Sequence, residues 1–415
     1  MTTKSTTVIM EASLLTPSVT TLRQTRVESI DVLRGIVMII MALDHTRDFF
    51  HPTAWTDDPL NLATTTPALF LTRWITHFCA PIFVFLSGTS IYLQSLRKTG
   101  PELRSFLIKR GLWLIFAELV IVNLGMTFNP FYPFQILQVI WAIGISMVIL
   151  GLLIHLPFRL ILALGLLLVL GHNLLDAPEA APDFKPGFWW DLLHHENFYS
   201  YAKNHVLFIH YPFIPWLGLM LLGYCAGTFF AQTVLPAHRR KILTSIGLGL
   251  ILIFGILRFS NVYGDPFSWS SQKNGLLTVL SFIKVHKYPP SLLYMCLTIG
   301  PALLFLAAIE RVKNGFTKIM RTFGRTAFFY YLVHWYVIHT VCMLIFLSRG
   351  HSIPEALSIA TKNQIPFLFV LPGEGVSLPV VYLIWLTVVA ALYPLCRWYD
   401  AYKTSHKEQW WLSYV

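Results

Sequence analysis

The sequence predicts an all-α polytopic membrane protein, a bundle of about ten transmembrane helices with both termini cytoplasmic. Three observations predict it. Apolar residues make up 55% of the 415-residue chain and charged residues only 12%, about half the share usual in soluble domains. Mean hydropathy is +0.60. Apolar runs near the ~20 residues a spanning helix needs recur along the whole chain, in place of the short alternating segments of a β-barrel.

The elements follow in order. Residues 1–27 are rich in Ser and Thr, lack a signal-peptide hydrophobic stretch, and read as a mobile tail. Ten spans are expected near 30–50, 69–95, 108–127, 135–155, 159–175, 207–231, 242–260, 290–309, 325–347 and 377–397. The short apolar piece 276–285 would be re-entrant or interfacial. Residues 28–400 are thus expected to form one membrane domain, followed by a cytoplasmic tail, 401–415.

Loop charge sets the orientation. Arg97, Lys98, Arg104, Lys109 and Arg110 follow the second span, Arg239, Arg240 and Lys241 the sixth, and Arg311, Lys313, Lys318, Arg321 and Arg325 the eighth. These basic connections alternate with the acid-rich connections 47–68 and 176–205, which places the basic ones in the cytoplasm. The same rule explains the net charge of +11 without nucleic-acid binding. One connection fits badly: 261–289 carries Lys273, Lys284, His286 and Lys287 yet falls outside. The longest outer connection, about 176–205, mixes Pro, Trp, Tyr, His and acids and reads as a structured cap. Five cysteines without CxxC spacing read as small core residues, not a disulfide framework.

The first span carries the chemistry. In VLRGIVMIIMALDHTRDFFHPTAW an apolar run is bracketed by Arg34 and by Asp44, His45, Arg47, Asp48 and His51. On an ideal helix Arg34 and His45 lie three turns plus ~20° apart, so they point the same way, ~16 Å from each other along the axis. Asp31 falls within ~40° and Asp48 within ~60° of His45's direction, giving one polar line facing the bundle interior. Each such charge costs on the order of 2.5–3.5 kcal/mol to bury in a bilayer, so the row needs partners or a use. Asp31 and Arg34 could be an interfacial i,i+3 pair, and the outer cluster could simply end the helix before Pro52. Asp44 and His45 lie deeper, where an imidazole flanked by carboxylates suits proton transfer near neutral pH.

Other candidates have ordinary readings beside the chemical one. His77 and His334 could be buried, satisfied histidines; Ser87, Thr89 and Ser90 could bond their own backbone; the aromatic run from Phe328 to Tyr336 could be packing. His45, His51 and His77 have metal-binding side chains, but their spacing singles out no site, so no metal is expected. No phosphate-binding glycine loop appears, which disfavours nucleotide-driven transport.

SIDVLRG, the apolar run after it, and the polar cluster reaching His51 and Trp55 resemble the opening of the heparan-alpha-glucosaminide N-acetyltransferase catalytic-domain family. ITHFCAPIFVFLSGTSIYL, with His77, Pro81, Phe83, Gly88 and Ser90, resembles that family's second signature. The Arg-x10-His spacing of Arg34 and His45 is similar to that of the type-three membrane acyltransferases. GRTAFFYYLVHWYVIH, with His334 and Trp335, is similar to a late helix of those enzymes.

The resemblance implies an integral membrane acyltransferase, most simply an acetyltransferase. It implies that the acyl group comes from cytoplasmic acetyl-CoA and passes to a saccharide at the outer face. It also implies an essential histidine, matched by His51, while His45 stands where the family has Asn or Asp and His77 where it commonly has an acid. Which imidazole is the base stays open. The expected catalytic set is His45, His51 and Asp44, with Asp31, Arg34, Arg47, Asp48, Trp55, His77, Ser90 and His334 supporting or binding substrate. Coenzyme A phosphates would need cytoplasmic cations, for which Lys109, Arg110, Arg239, Arg240 and Arg325 are candidates. The expected partners are the bilayer, acyl-CoA and the saccharide, with oligomeric state open and a bacterial inner membrane as the home. The alternative is a proton-coupled secondary transporter using the Asp44/His45 pair, since intramembrane acids and histidines mark proton paths too. The 28–95 segment has no later echo of the kind inverted-repeat transporters show.

Overall fold

The computed structural model describes residues 26–414, so the expected tail 1–27 lies almost wholly outside the described residues. Helices α1 (Glu28–Phe50), α2 (Pro67–Ile75) and α3 (Cys79–Ser95) come first; α2 and α3 are joined by a 3-10 turn into one apolar rod. Then follow α4 (Gly100–Phe116), α5 (Asn123–Thr127), α6 (Val139–Leu153), α7 (Phe158–Gly171), α8 (Asp176–Glu179), α9 (Phe188–Leu193) and α10 (Phe213–Ala226). The last group is α11 (Pro236–Ser260), α12 (Gly275–Ile283), α13 (Leu292–Ile309), α14 (Gly315–Arg325), α15 (Ala327–Ser348), α16 (Ile353–Asn363) and α17 (Leu378–Ser405).

Seven helical segments among the described residues are long and apolar enough to cross a bilayer: Pro67–Ser95, Phe158–Glu179, Phe213–Phe230, Pro236–Ser260, Leu292–Ile309, Ala327–Ser348 and Leu378–Ser405. The three other expected spans also fall on helix. Glu28–Phe50 carries six acidic or basic side chains, the helical stretch from α4 to α5 passes through a π-helical turn at Ala117–Val122, and Val139–Leu153 is short. The expected interfacial piece 276–285 is α12.

The chain is not purely helical. A three-stranded sheet has the order β1 (Phe134–Leu137), β3 (His205–Ile209), β2 (Asn197–Ala202), with β1 parallel and β2 antiparallel to β3. The spans expected at 135–155 and 207–231 therefore begin as strand, and their helices start only at Val139 and Phe213. The causes are local. The buried Asn123 amide accepts from Ile136 N at 2.9 Å and donates to its carbonyl at 3.2 Å, holding β1 extended. Asn204, at φ 61°, makes the tight turn between β2 and β3. The connection 176–205 is thus a folded cap, as its composition predicts.

Two helix crossings place α1. A Cβ at Gly35 would lie 1.9 Å from the Met320 carbonyl oxygen, and one at Gly324 would lie 1.8 Å from that of Asp31. Only glycine allows α1 and α14 this approach. The same device joins α3 to α10, where a Cβ at Gly88 would meet the Met220 carbonyl at 2.1 Å and one at Gly223 that of Phe85 at 2.2 Å. The π-helical turn has a positional effect as well. It turns Glu118 into the core, where Oε2 accepts from Trp141 N at 3.0 Å and anchors the first turn of α6, the turn that begins with Val139. At the other end of the chain, Trp113 Nε1 donates to the Tyr414 carbonyl at 3.2 Å, so the segment after α17 folds back against α4.

Candidate active site

Two cavities lie along α1. The first, about 650 Å³, surrounds Arg34 near the start of the helix. The second, about 530 Å³, surrounds His45 near its end. Phe83 of α3, Val139 of α6 and Tyr331 of α15 line both, so they form the partition. Met38 faces the first chamber and Met41 the second, only ~4.5 Å further along the axis. The chambers are back to back.

The Arg34 chamber is strongly cationic. Arg26, Arg34, Arg97, Lys98, Arg110, Arg325 and Lys403 line it together with the carboxylate of Asp31, and Asp400, outside the lining, lies 2.9 Å from Arg325 Nε. Asp31 accepts from Arg26 at 2.5 and 2.8 Å and lies 3.4 Å from Arg34 Nη1. Arg26 is held more basic than usual: burial works against its charge, but the Asp31 carboxylate outweighs burial. Arg34 Nη2 donates to Ser90 Oγ at 2.9 Å, and Ser90 Oγ donates to the Leu86 carbonyl at 2.7 Å. The serine thus bonds its backbone, as hydroxyls in membrane helices commonly do, and also fixes the arginine.

In the His45 chamber the charges form a ladder. Asp44 is paired with Arg73 of α2 and lies 3.0 Å from Arg47, which in turn donates to Asp48 at 2.5 Å. Two acids and two guanidinium groups neutralise one another, which offsets their burial. Asp44 is therefore turned toward arginines, and the carboxylate nearest His45 is Asp48, whose Oδ2 lies 3.9 Å from Nδ1. The His45 ring is fixed by packing: its centroid is 3.9 Å from that of Trp335 and 5.3 Å from that of His334. His334 is fully buried, its Nδ1 3.2 Å from the Tyr330 carbonyl. Trp55 lines the chamber, donating to the Asp48 carbonyl at 2.8 Å and packing 4.6 Å from Phe367.

The remaining candidates sit elsewhere. His51 caps the end of α1 with Nδ1 2.9 Å from Thr53 Oγ1, and it is not among the residues lining either chamber. Burial and the Arg47 guanidinium hold it below the usual histidine range. His77 is buried beside Tyr294, whose hydroxyl donates to the His77 carbonyl at 2.7 Å, and it too lines neither chamber. Of the five cations expected for coenzyme A, Arg110 and Arg325 line the Arg34 chamber. Lys109 points outward, Arg239 pairs with Glu310, and Arg240 lies beside it on α11, away from the chamber.

Several lining residues escape a sequence reading. Arg73 is the one charge in an apolar span, a signal that intramembrane charge carries by itself. Lys287 belongs to the connection whose positive charge fits the orientation badly, and the reason is now visible: it is buried and faces the His45 chamber. Tyr288 follows it. Burial would raise its phenol, but Lys287, His210 and Arg73 outweigh burial and pull it down to about 7. Near-ultraviolet tyrosinate absorbance of the native protein is therefore expected to show a step with a midpoint near pH 7, lost in Tyr288→Phe. A titration in which no tyrosine ionises until about pH 10 would contradict this.

The family model for heparan-alpha-glucosaminide N-acetyltransferase, catalytic, matches residues 26–254, more than half of the chain. The chain belongs to this family. No curated protein matches it at a significant level. Membership in the heparan-alpha-glucosaminide N-acetyltransferase catalytic family points to an acetyltransferase-type enzyme in the membrane. The matched part holds Arg34, His45, Phe83, Ser90 and Val139, while Lys287, Tyr288, Arg325, Tyr331, Trp335 and Lys403 come from the part beyond it.

Proposed function

We propose that the protein is a transmembrane acetyltransferase that receives acetyl-CoA in the Arg34 chamber and delivers the acetyl group to a saccharide in the His45 chamber. One observation carries this reading: a cation-lined cavity and a histidine-bearing cavity share three lining side chains, those of Phe83, Val139 and Tyr331. The pyrophosphate and 3′-phosphate of coenzyme A suit the seven cations. The end of α1 at which they gather is also the end where the basic connections lie, which favours a cytoplasmic donor. The thioester, on its slender arm, would then pass between Phe83, Val139 and Tyr331.

The chain's own groups supply a base and a surface for the acceptor. His45 takes a proton from the attacking amine or hydroxyl, and Trp335 and His334 keep its ring in place. Trp55, Phe198, Phe208 and Phe367 offer apolar faces for a sugar ring, and Asp57 and Asp58 offer acceptors for its hydroxyls or amine. Holding donor and acceptor on either side of one thin partition supplies the proximity that makes the reaction effectively intramolecular.

The test is a transfer assay on purified protein with radiolabelled acetyl-CoA and glucosamine as the probe acceptor. The reading expects label in the sugar, or slow hydrolysis when the sugar is withheld. Absence of all three, transfer, hydrolysis and binding of the label, would overturn it.

A further inference from the structure

Acyl transfer places negative charge on the thioester oxygen, and none of the groups assigned above accounts for it. Two side chains of α15 are available. Tyr331 and Trp335 are one helical turn apart and so share a face. Tyr331 is 3% and Trp335 2% exposed, so bulk water does not reach them freely. The Tyr331 hydroxyl and Trp335 Nε1 lie against each other, yet neither makes a hydrogen bond of good geometry with any described residue. Buried donors without good acceptors are costly and uncommon, and two that lie side by side can share one acceptor atom. Tyr331 stands in the partition, and Trp335 lines the His45 chamber with its ring against His45.

We infer that Tyr331 Oη–H and Trp335 Nε1–H are the oxyanion donors of the reaction, binding the thioester oxygen as the acyl group crosses the partition. This rests on the acetyltransferase reading. The acceptor's nitrogen or oxygen forms a bond to the carbonyl carbon, the C=O π pair moves onto oxygen, and the two donors stabilise it. His45 takes the acceptor's proton. When the oxyanion collapses the C–S bond breaks, the pair leaves with sulfur, and the proton passes from His45 to the coenzyme A thiolate. His45 and the donors thus approach the reacting carbon from one wall, formed by α1 and α15.

The experiment is steady-state turnover of acetyl-CoA by the full chain and by Tyr331→Phe and Trp335→Phe, with glucosamine as acceptor. Each variant is expected to lower kcat by about 10²- to 10³-fold while leaving the KM for acetyl-CoA unchanged. Loosened packing would move KM and the melting temperature, and because Trp335 also braces His45, a loss of kcat counts for the donor pair only where Tyr331→Phe shows it too. A second measurement changes the substrate: dithioacetyl-CoA carries sulfur, a weak acceptor, in place of the carbonyl oxygen. Wild type should turn it over far more slowly than acetyl-CoA, and Tyr331→Phe should narrow that ratio. An active wild type with unchanged kcat in both variants and no such discrimination would overturn the donor pair alone. An inactive wild type would overturn the reading beneath it.

Discussion

Replacing His45 with Ala is expected to lower acetyl transfer by about 10²- to 10⁴-fold, the contribution a positioned base ordinarily makes. Folding should be spared. The imidazole makes no hydrogen bond of good geometry through Nδ1, and the charge ladder of Arg73, Asp44, Arg47 and Asp48 closes without it. His51→Ala is the informative partner. The family resemblance places an essential histidine there, whereas the geometry sets His51 outside both chambers, bonded to Thr53. The account expects His51→Ala to retain most activity. Transfer measured in both variants, with detergent melting curves alongside, decides between them: activity that survives in His45→Ala and disappears in His51→Ala would reverse the assignment.

The second large effect is on stability. Gly324→Ala puts a methyl group 1.8 Å from the Asp31 carbonyl oxygen, a backbone atom that cannot rotate away. The crossing of α1 and α14 must open, at a cost of about 3 kcal/mol or more, the upper range for overpacking. Asp31 would move with it, and with Asp31 the Arg26–Asp31–Arg34 cluster that shapes the cationic chamber. A melting curve followed by size-exclusion chromatography in detergent should show a marked drop. Gly255→Ala, on α11 with open space around it, is the control and should show none. Equal melting temperatures for the two variants would contradict the crossing.

Much of this architecture is legible in the residues. The bundle follows from hydropathy because a spanning helix has little freedom in length or composition. Alignment of Arg34 and His45 follows from helical periodicity, and both do line chambers along one helix. Where sequence reasoning falls short, the missing information is long-range. Residues 134–137 look like the start of a span, and only the distant Asn123 side chain, with β3 beside it, makes them strand. Asp44 looks like the partner of its neighbour His45, and Arg73, 29 positions away, takes it instead. The partition is the hardest case. Phe83, Val139 and Tyr331 are apolar or aromatic residues on three separate helices, and nothing local marks them as a wall between two cavities. Lys287 did leave a trace, as a positive charge on the wrong side, because a lysine used inside a site violates the orientation rule that loop lysines obey.

The central claim is that a donor held in the Arg34 chamber reaches His45 across that partition. An electron cryo-microscopy structure of the purified protein with acetyl-CoA tests it most directly. The account predicts density for the phosphates among Arg34, Arg97 and Arg110, and an arm running between Phe83, Val139 and Tyr331 with the acetyl group facing His45. Coenzyme A density outside the Arg34 chamber, or an arm that turns away from the partition, would contradict it.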